Sequence, residues 1–444
     1  MKLRITTVNS LIATCIIAGG SLFIVRLAEI PELSAVRGWD NSFYVMWVRS
    51  AVIDHDIHFA NEIEINNTIA EGDRERAKSY QPTSTGYIPN KYGIGWGLAS
   101  APFFILADVI VIGLRVAGWE SLPRDGYNFI YQTMLQLGQL AYAILGLYFA
   151  YRFCSSFFSK PSSLLAVLTT WICSMLLYYQ SSNLSMAHSL VFALVATNYY
   201  FTWKLWSGNS PKVLRTLIVI FATSGLLLVT RYQTAVYLLF PIIATLRLLY
   251  IHREEAIRPV TIALPFALTP VALQLMAWKT IYGSYLLFTY GEEGEGFIWN
   301  DPAWMKVLFS SNHGLFYWHP ILFLGLLFFT AWVIRKSPVG LIWMVSILLT
   351  YVVNAAWWCW WLASSFGQRN FEATVLFAML GMAYLFALLE DRKQLFNLLR
   401  VAIIAAIIWN INLTILYSVN IISRNSSVTW TEMISATFEL YSLN

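Results

Sequence analysis

The sequence predicts an all-α membrane protein, a polytopic helical bundle of about eleven transmembrane helices. Three observations carry this reading. Of the 444 residues, 58% are hydrophobic and 12% are charged, against about half and about a quarter in an ordinary soluble domain. Apolar stretches of about 20 residues, enough to cross a bilayer as helix, recur along the chain. Basic residues fall in alternate connections between those stretches.

So few charges cannot clothe a water-soluble body of this length. The composition excludes a soluble enzyme, a disordered chain and a DNA-binding protein. The net charge of +5 implies no nucleic acid, because Lys and Arg stand singly or in pairs at the ends of apolar runs. Cys15, Cys154, Cys173 and Cys359 are far apart in the sequence and form neither a disulfide framework nor a metal spacing.

Taken in order, spans are expected near 8–29, 129–151, 162–181, 186–203, 214–230, 233–251, 259–278, 315–334, 339–356, 371–389 and 398–419. Lys2 and Arg4 precede the first. Arg152 and Lys160, then Lys204, Lys212 and Arg215, then Arg247, Arg253 and Arg258, then Arg335 and Lys336, then Arg392 and Lys393 occupy every second connection. These connections are expected in the cytoplasm, with the N-terminus. The opposite connections hold lone cations: Arg231, Lys279, Lys306 and Arg369. The first span lacks a small-residue cleavage site and reads as an anchor. The short loops and the lack of processing signals suit a bacterial inner membrane.

The run 94–117 is long enough to cross, yet a crossing would put Lys2 and Arg4 outside. It also carries Asp108, Arg115, Gly93, Gly95, Gly97, Pro102 and Gly113. The expectation is a membrane-associated or re-entrant segment on the outer side. The chain then forms a single polytopic domain over 1–444. It has a long first extracytoplasmic loop, 30–128, and a second, 279–314, and function is sought on that face. The tail 420–444 reads as short and polar.

The first loop opens with Arg37-Gly38-Trp39-Asp40-Asn41-Ser42-Phe43-Tyr44 and ends in Asn90-Lys91-Tyr92-Gly93-Ile94-Gly95. An acidic residue just after a span and a lysine just before an apolar segment both sit at headgroup depth. This order resembles the membrane glycosyltransferases of the GT-C class, in the style of protein O-mannosyltransferases and lipid A aminoarabinose transferases. More specifically, the chain resembles bacterial "family 39-like" glycosyltransferases of unassigned substrate. Gly314-Leu315-Phe316-Tyr317-Trp318-His319-Pro320 and Ser365-Phe366-Gly367-Gln368-Arg369 carry the resemblance further along the chain.

The resemblance implies a GT-C type fold and a sugar donated from a polyprenyl phosphate on the outer leaflet. The acceptor would be a hydroxyl on a lipid, glycan or protein. It also implies that Asp40 is the general base and that Lys91 faces the leaving phosphate, where developing negative charge needs a cation. Two departures stand out: Asp40 is followed by Asn41 where the family has a glutamate, and Lys-Pro-Pro is here Lys91-Tyr92-Gly93.

Residue by residue, each sharp reading has a bland one. Asp40 fits a helix N-cap, and Lys91 fits an interfacial anchor that snorkels. Arg231, in a tight turn at the outer boundary, needs a partner at that depth: lipid phosphate, Asp40 or a loop glutamate. Arg369 offers a planar fork to phosphate. It follows Trp357-Trp358-Cys359-Trp360-Trp361, which reads as an aromatic belt or as a wall for sugar and prenyl groups. Tyr92 and Trp360 join these as substrate-binding candidates.

His188, His313 and His319 sit near span ends, where histidine is more often structural; His188 is retained as a substrate-binding candidate. Glu292, Glu293 and Glu295 read as a solvated loop, or as acceptor recognition or a gate over the site. Asp54-His55-Asp56 has the Asp-x-Asp form that suits Mg²⁺ or Mn²⁺. With a nucleotide-free donor no metal or other cofactor is required, and the metal is the minority reading. The alternative to the enzyme is a flippase or transporter for a lipid-linked sugar. Such proteins tend to show paired repeats and midplane polar groups, neither of which is visible in the sequence.

Overall fold

The computed structural model describes residues 38–65, 71–210 and 212–442. The expected first span, 8–29, lies outside the described residues, as do Lys2, Arg4, Cys15 and Arg37. Among the described residues the chain is an all-α bundle without a named strand. Its longer helices are α1 (Trp39–Arg49), α2 (Gly95–Val116), α3 (Phe129–Cys154), α4 (Lys160–Ile172), α5 (His188–Trp206), α6 (Val213–Thr230) and α7 (Leu239–Ile251). They continue with α8 (Arg253–Tyr282), α9 (Pro320–Lys336), α10 (Gly340–Ala356), α11 (Val375–Leu389), α12 (Lys393–Ser418) and α13 (Trp430–Ser442). Seven helical segments among the described residues are long and apolar enough to cross a membrane. The protein is an integral membrane protein.

Cross-contacts fix the helix directions. Asn198 Nδ2 donates to the Ile220 carbonyl (3.1 Å) and His188 lies beside Arg231 (2.9 Å), so α5 and α6 are antiparallel. Arg152 Nη2 donates to Tyr200 OH (2.7 Å), and a Cβ on Gly146 would meet Ala193, so α3 and α5 are parallel. His188, Thr230 and Arg231 therefore share one end of the bundle. Arg152, Lys204 and Arg247 (whose guanidinium donates to the Trp206 carbonyl) share the other. The basic connections and the lone cations separate in space as they do in sequence.

The segment 94–117 holds one unbroken helix, α2, with the hydropathy of a span (2.1). It continues through Pro102 and Gly113. Its register is antiparallel to the first half of α3: Tyr131 OH donates to Asp108 Oδ1 (2.6 Å) and Tyr142 OH to the Ala99 carbonyl (2.8 Å). Two expectations need correction. The span 162–181 is two helices, α4 and Met175–Tyr179, broken where Ser174 caps the second through Leu176 N. The tail carries α13, begun by Thr429 and Glu432, whose carboxylate accepts from Thr429 N (2.6 Å) in the manner of a capping box.

The core is aromatic. Trp343 is fully buried and packs with Phe153, Phe240 and Phe377 at centroid distances of 5.2, 5.4 and 6.2 Å. Rings of this size give rigid packing without hydrogen-bonding demands except at the indole nitrogen. This layer lies between the two charged ends and holds the helices that present the candidate site.

Candidate active site

Asp40 lies in the first turn of α1, whose N-cap is Gly38 with φ of 96°. The cap reading of Asp40 is corrected: no side chain caps this helix. Instead the carboxylate leaves the helix end. Its Oδ1 accepts from Tyr92 OH (2.6 Å) and its Oδ2 from Arg369 Nη2 (3.2 Å). The Asp40 side chain keeps 24% exposure and Arg369 17%, so an incoming molecule can reach both.

The turn holding Lys91 is tied to α1 and to α6. Asn90 Nδ2 donates to the Phe43 carbonyl (3.0 Å) and Trp47 Nε1 to the Tyr92 carbonyl (3.0 Å). A Cβ on Gly93 would strike the Val229 carbonyl, and one on Gly95 would strike the Thr230 backbone. Only glycine permits so close an approach. The Asn-Lys-Tyr-Gly-Ile-Gly phrase thus seats Lys91 and Tyr92 against the end of α6, where Arg231 follows.

Lys91 does not snorkel. It is buried, and its Nζ lies 2.8 Å from Glu293 Oε2 and 2.6 Å from Glu295 Oε1. The acidic loop is therefore docked on the site, not solvated. Thr289 Oγ1 donates to the Lys91 carbonyl (2.8 Å), and Tyr290 brings its ring to 5.3 Å from Nζ. The loop is pinned at its far end by a bridge between Phe297 and Trp357.

Arg231 pairs with neither of the protein groups expected of it, Asp40 or a loop glutamate. Its Nη2 donates to Asn370 Oδ1 (2.5 Å), and its Nη1 lies 2.9 Å from His188 Nδ1 and 3.5 Å from Glu372 Oε1. Asn370 and Glu372 belong to the 3-10 turn Arg369–Thr374, so one turn holds Arg369 toward Asp40 and engages Arg231. Arg369 Nη1 donates to the Ser364 carbonyl (3.0 Å), while its Nε is buried without a partner.

Burial alone would raise the Asp40 pKa, but Arg369, the Tyr92 hydroxyl, Lys91 and Arg231, in that order, outweigh it and hold the carboxyl below its ordinary value. Three cations thus act on one carboxylate, Arg369 most strongly and at 3.2 Å. Asp40, Tyr92, Lys91, Arg231, Arg369 and His188 are brought together. Trp360 joins only through its backbone: its carbonyl accepts from Gln368 Nε2 (2.8 Å), beside Arg369. His313 and His319 are buried and bound to the Trp361 carbonyl (2.7 Å) and Asn410 Oδ1 (3.1 Å), in structural roles.

Asp54 and Asp56 face separate networks. Asp54 Oδ2 pairs with Arg49 and accepts from Asn61 (2.8 Å). Asp56 Oδ1 accepts from Ser50 Oγ (2.6 Å) and His58 N (3.0 Å). Among the described residues, no three His, Cys, Asp or Glu side chains gather as metal ligands do. Glu372, Asn370 and Tyr290 were not legible as site residues. The available signal was a lone glutamate opening the apolar run 371–389, an expensive position for a charge.

No known family's sequence profile matches the chain, and no curated protein sequence matches it. Among solved structures it is similar to the archaeal oligosaccharyltransferase AglB from Archaeoglobus fulgidus, determined in complex with an inhibitory peptide and a dolichol-phosphate. The TM-score is 0.44 at 10% identity, over 95% of this chain and 55% of that one. The chain thus spans about half the length of that protein.

Proposed function

We propose that the protein is a membrane glycosyltransferase of the GT-C class. In this reading it moves a sugar from a polyprenyl-phosphate donor to an acceptor hydroxyl on the extracytoplasmic face. The observation that carries the reading is the Asp40 carboxylate held by Arg369 and Tyr92 at the end of the bundle where Lys91 and Arg231 also lie. A base with a set of cations beside it is what transfer from a lipid phosphate needs.

The bond that breaks joins the sugar anomeric carbon to a phosphate oxygen, which leaves with the electron pair. The bond that forms joins that carbon to the acceptor oxygen, whose proton passes to Asp40. A carboxylate oxygen has two lone pairs, so each Asp40 oxygen keeps capacity for a proton while bound to Tyr92 or Arg369. Sugar transfer proceeds through an oxocarbenium-like transition state. A weak base suffices there, because the acceptor proton becomes acidic only as the new bond forms. Placed general-base catalysis is worth about 10²–10⁴-fold.

The leaving phosphate takes its charge compensation from Lys91, Arg231 and Arg369. Glu293 and Glu295 hold Lys91. The donor phosphate replaces them, and the unpartnered Nε of Arg369 offers a further donor. A structure of the full chain with polyprenyl phosphate tests this. The phosphate is expected between Lys91 and Arg369 with Glu293 and Glu295 displaced. Phosphate bound elsewhere, with the Lys91 pairs intact, contradicts the reading.

A further inference from the structure

The end of the bundle away from Asp40 holds a second charged cavity, of about 440 Å³, where α3 and α5 end and α4 begins. Arg152, Lys160 and Lys204 line it, with Tyr148, Tyr200 and Ser155. Arg152 is spread on two phenols: its Nη1 donates to Tyr148 OH (2.5 Å) and its Nη2 to Tyr200 OH (2.7 Å). Lys204 Nζ stands 5.8 Å from the centre of the Tyr200 ring. Among the described residues none of the three cations forms an ion pair.

The sequence explains why. Between Asp125 and Glu254 the chain has no Asp or Glu at all, while it places Arg152, Lys160 and Lys204 in that interval. Cations at the ends of α3 and α5 suit the helix dipoles there, and basic connections are ordinary on a cytoplasmic face. Two features go beyond that. Lys160 is the first residue of α4, where the dipole disfavours a cation and favours an anion. Ser155 Oγ, buried at the cavity, has no hydrogen-bond partner.

We propose that this cavity binds a phosphate mono- or diester, with Arg152, Lys160 and Lys204 supplying charge. The volume exceeds what a bare phosphate fills and leaves room for the group that bears it. Basic pockets between spans on this face suit anionic lipid headgroups, each cation contributing about fivefold in affinity. The site is independent of sugar transfer and lies at the opposite end of the bundle.

The test is native mass spectrometry of the full chain in detergent, titrated with phosphatidylglycerol, phosphatidylcholine and inorganic phosphate. The wild type is expected to retain phosphatidylglycerol over phosphatidylcholine. K160Q/K204Q is expected to weaken that retention about 30-fold, with Arg152 and its phenols untouched. Competition by millimolar inorganic phosphate assigns the site to free phosphate esters, and its failure assigns the site to the lipid. Asn209→Asp, which puts a carboxylate at the cavity from an exposed loop, serves if the double variant does not fold, and is expected to weaken retention about fivefold. A wild type that prefers neither anionic lipid nor phosphate, or folded variants that bind as the wild type does, overturns the proposal.

Discussion

Arg369 Nη2 lies 3.2 Å from Asp40 Oδ2, joining residues 329 positions apart in the chain. The contact unites the start of α1 with the turn before α11. It also sets the chemistry of the carboxylate, since Arg369 is the strongest of the cations acting on it. Arg369→Lys keeps the charge and loses the planar fork, which also holds the Ser364 carbonyl. Sugar transfer by R369K is expected to fall about 10- to 100-fold while the protein stays folded, on the scale of one lost electrostatic contact. Full activity in R369K would remove the fork from the account.

The docked acidic loop predicts a change in donor affinity. Glu293→Gln with Glu295→Gln frees Lys91, so the KM for donor is expected to drop about threefold or more, on the scale of a surface-to-buried ion pair. Lys91→Gln is expected to raise it. Steady-state kinetics with the donor varied checks both, and an unchanged KM in E293Q/E295Q speaks against a loop that competes with phosphate.

The close approach of the Lys91 turn predicts that Gly95→Ala is damaging. The new Cβ meets the Thr230 backbone, and overpacking of this kind costs about 1–3 kcal/mol. The expected result is a lower melting temperature and reduced transfer together, since the turn carries Lys91 and Tyr92. Gly113→Ala, in open space on α2, is the control and is expected to leave transfer unchanged.

A pH dependence of stability follows from Glu62. It is buried 3.1 Å from Arg49. Burial raises its pKa from 4.5 to about 7, although Arg49 acts against the shift. A raised folded pKa means that the folded state holds the proton longer than the unfolded state. Its contribution is present below about 4.5, is lost as pH rises through about 7, and is flat above. The melting temperature is expected to fall between pH 5 and pH 8, and Glu62→Gln to flatten that slope. An identical slope in E62Q would contradict the assignment.

The sequence carried the helices well and their partners poorly. Apolar runs of span length are self-announcing, and the alternation of basic connections separated the two ends before any contact was known. Asp40, Lys91, Arg231 and Arg369 stood out because charge at membrane depth is rare. What holds them was not legible. Arg231 meets Asn370 and Glu372, 139 and 141 residues away, and no local pattern encodes such a pairing. The loop around Glu293 has the composition of a solvated turn, yet a buried lysine 202 residues earlier fixes it. The break at Ser174 is a local capping choice that hydropathy averages away.

Sugar transfer by Asp40→Asn measures the central claim most directly. Asparagine keeps the shape and can still accept from Tyr92 or Arg369, but it cannot take the acceptor proton. Because Asp40 is held below its ordinary pKa, the wild type is expected to stay active from neutral pH down to about pH 4 and to lose activity only as the carboxylate protonates. With a labelled polyprenyl-phosphate sugar and the purified full chain in proteoliposomes, D40N is predicted to lose about 10²–10⁴-fold in turnover at every pH. Its melting temperature and donor binding should stay near wild type. Wild-type turnover in a folded D40N protein would contradict the account.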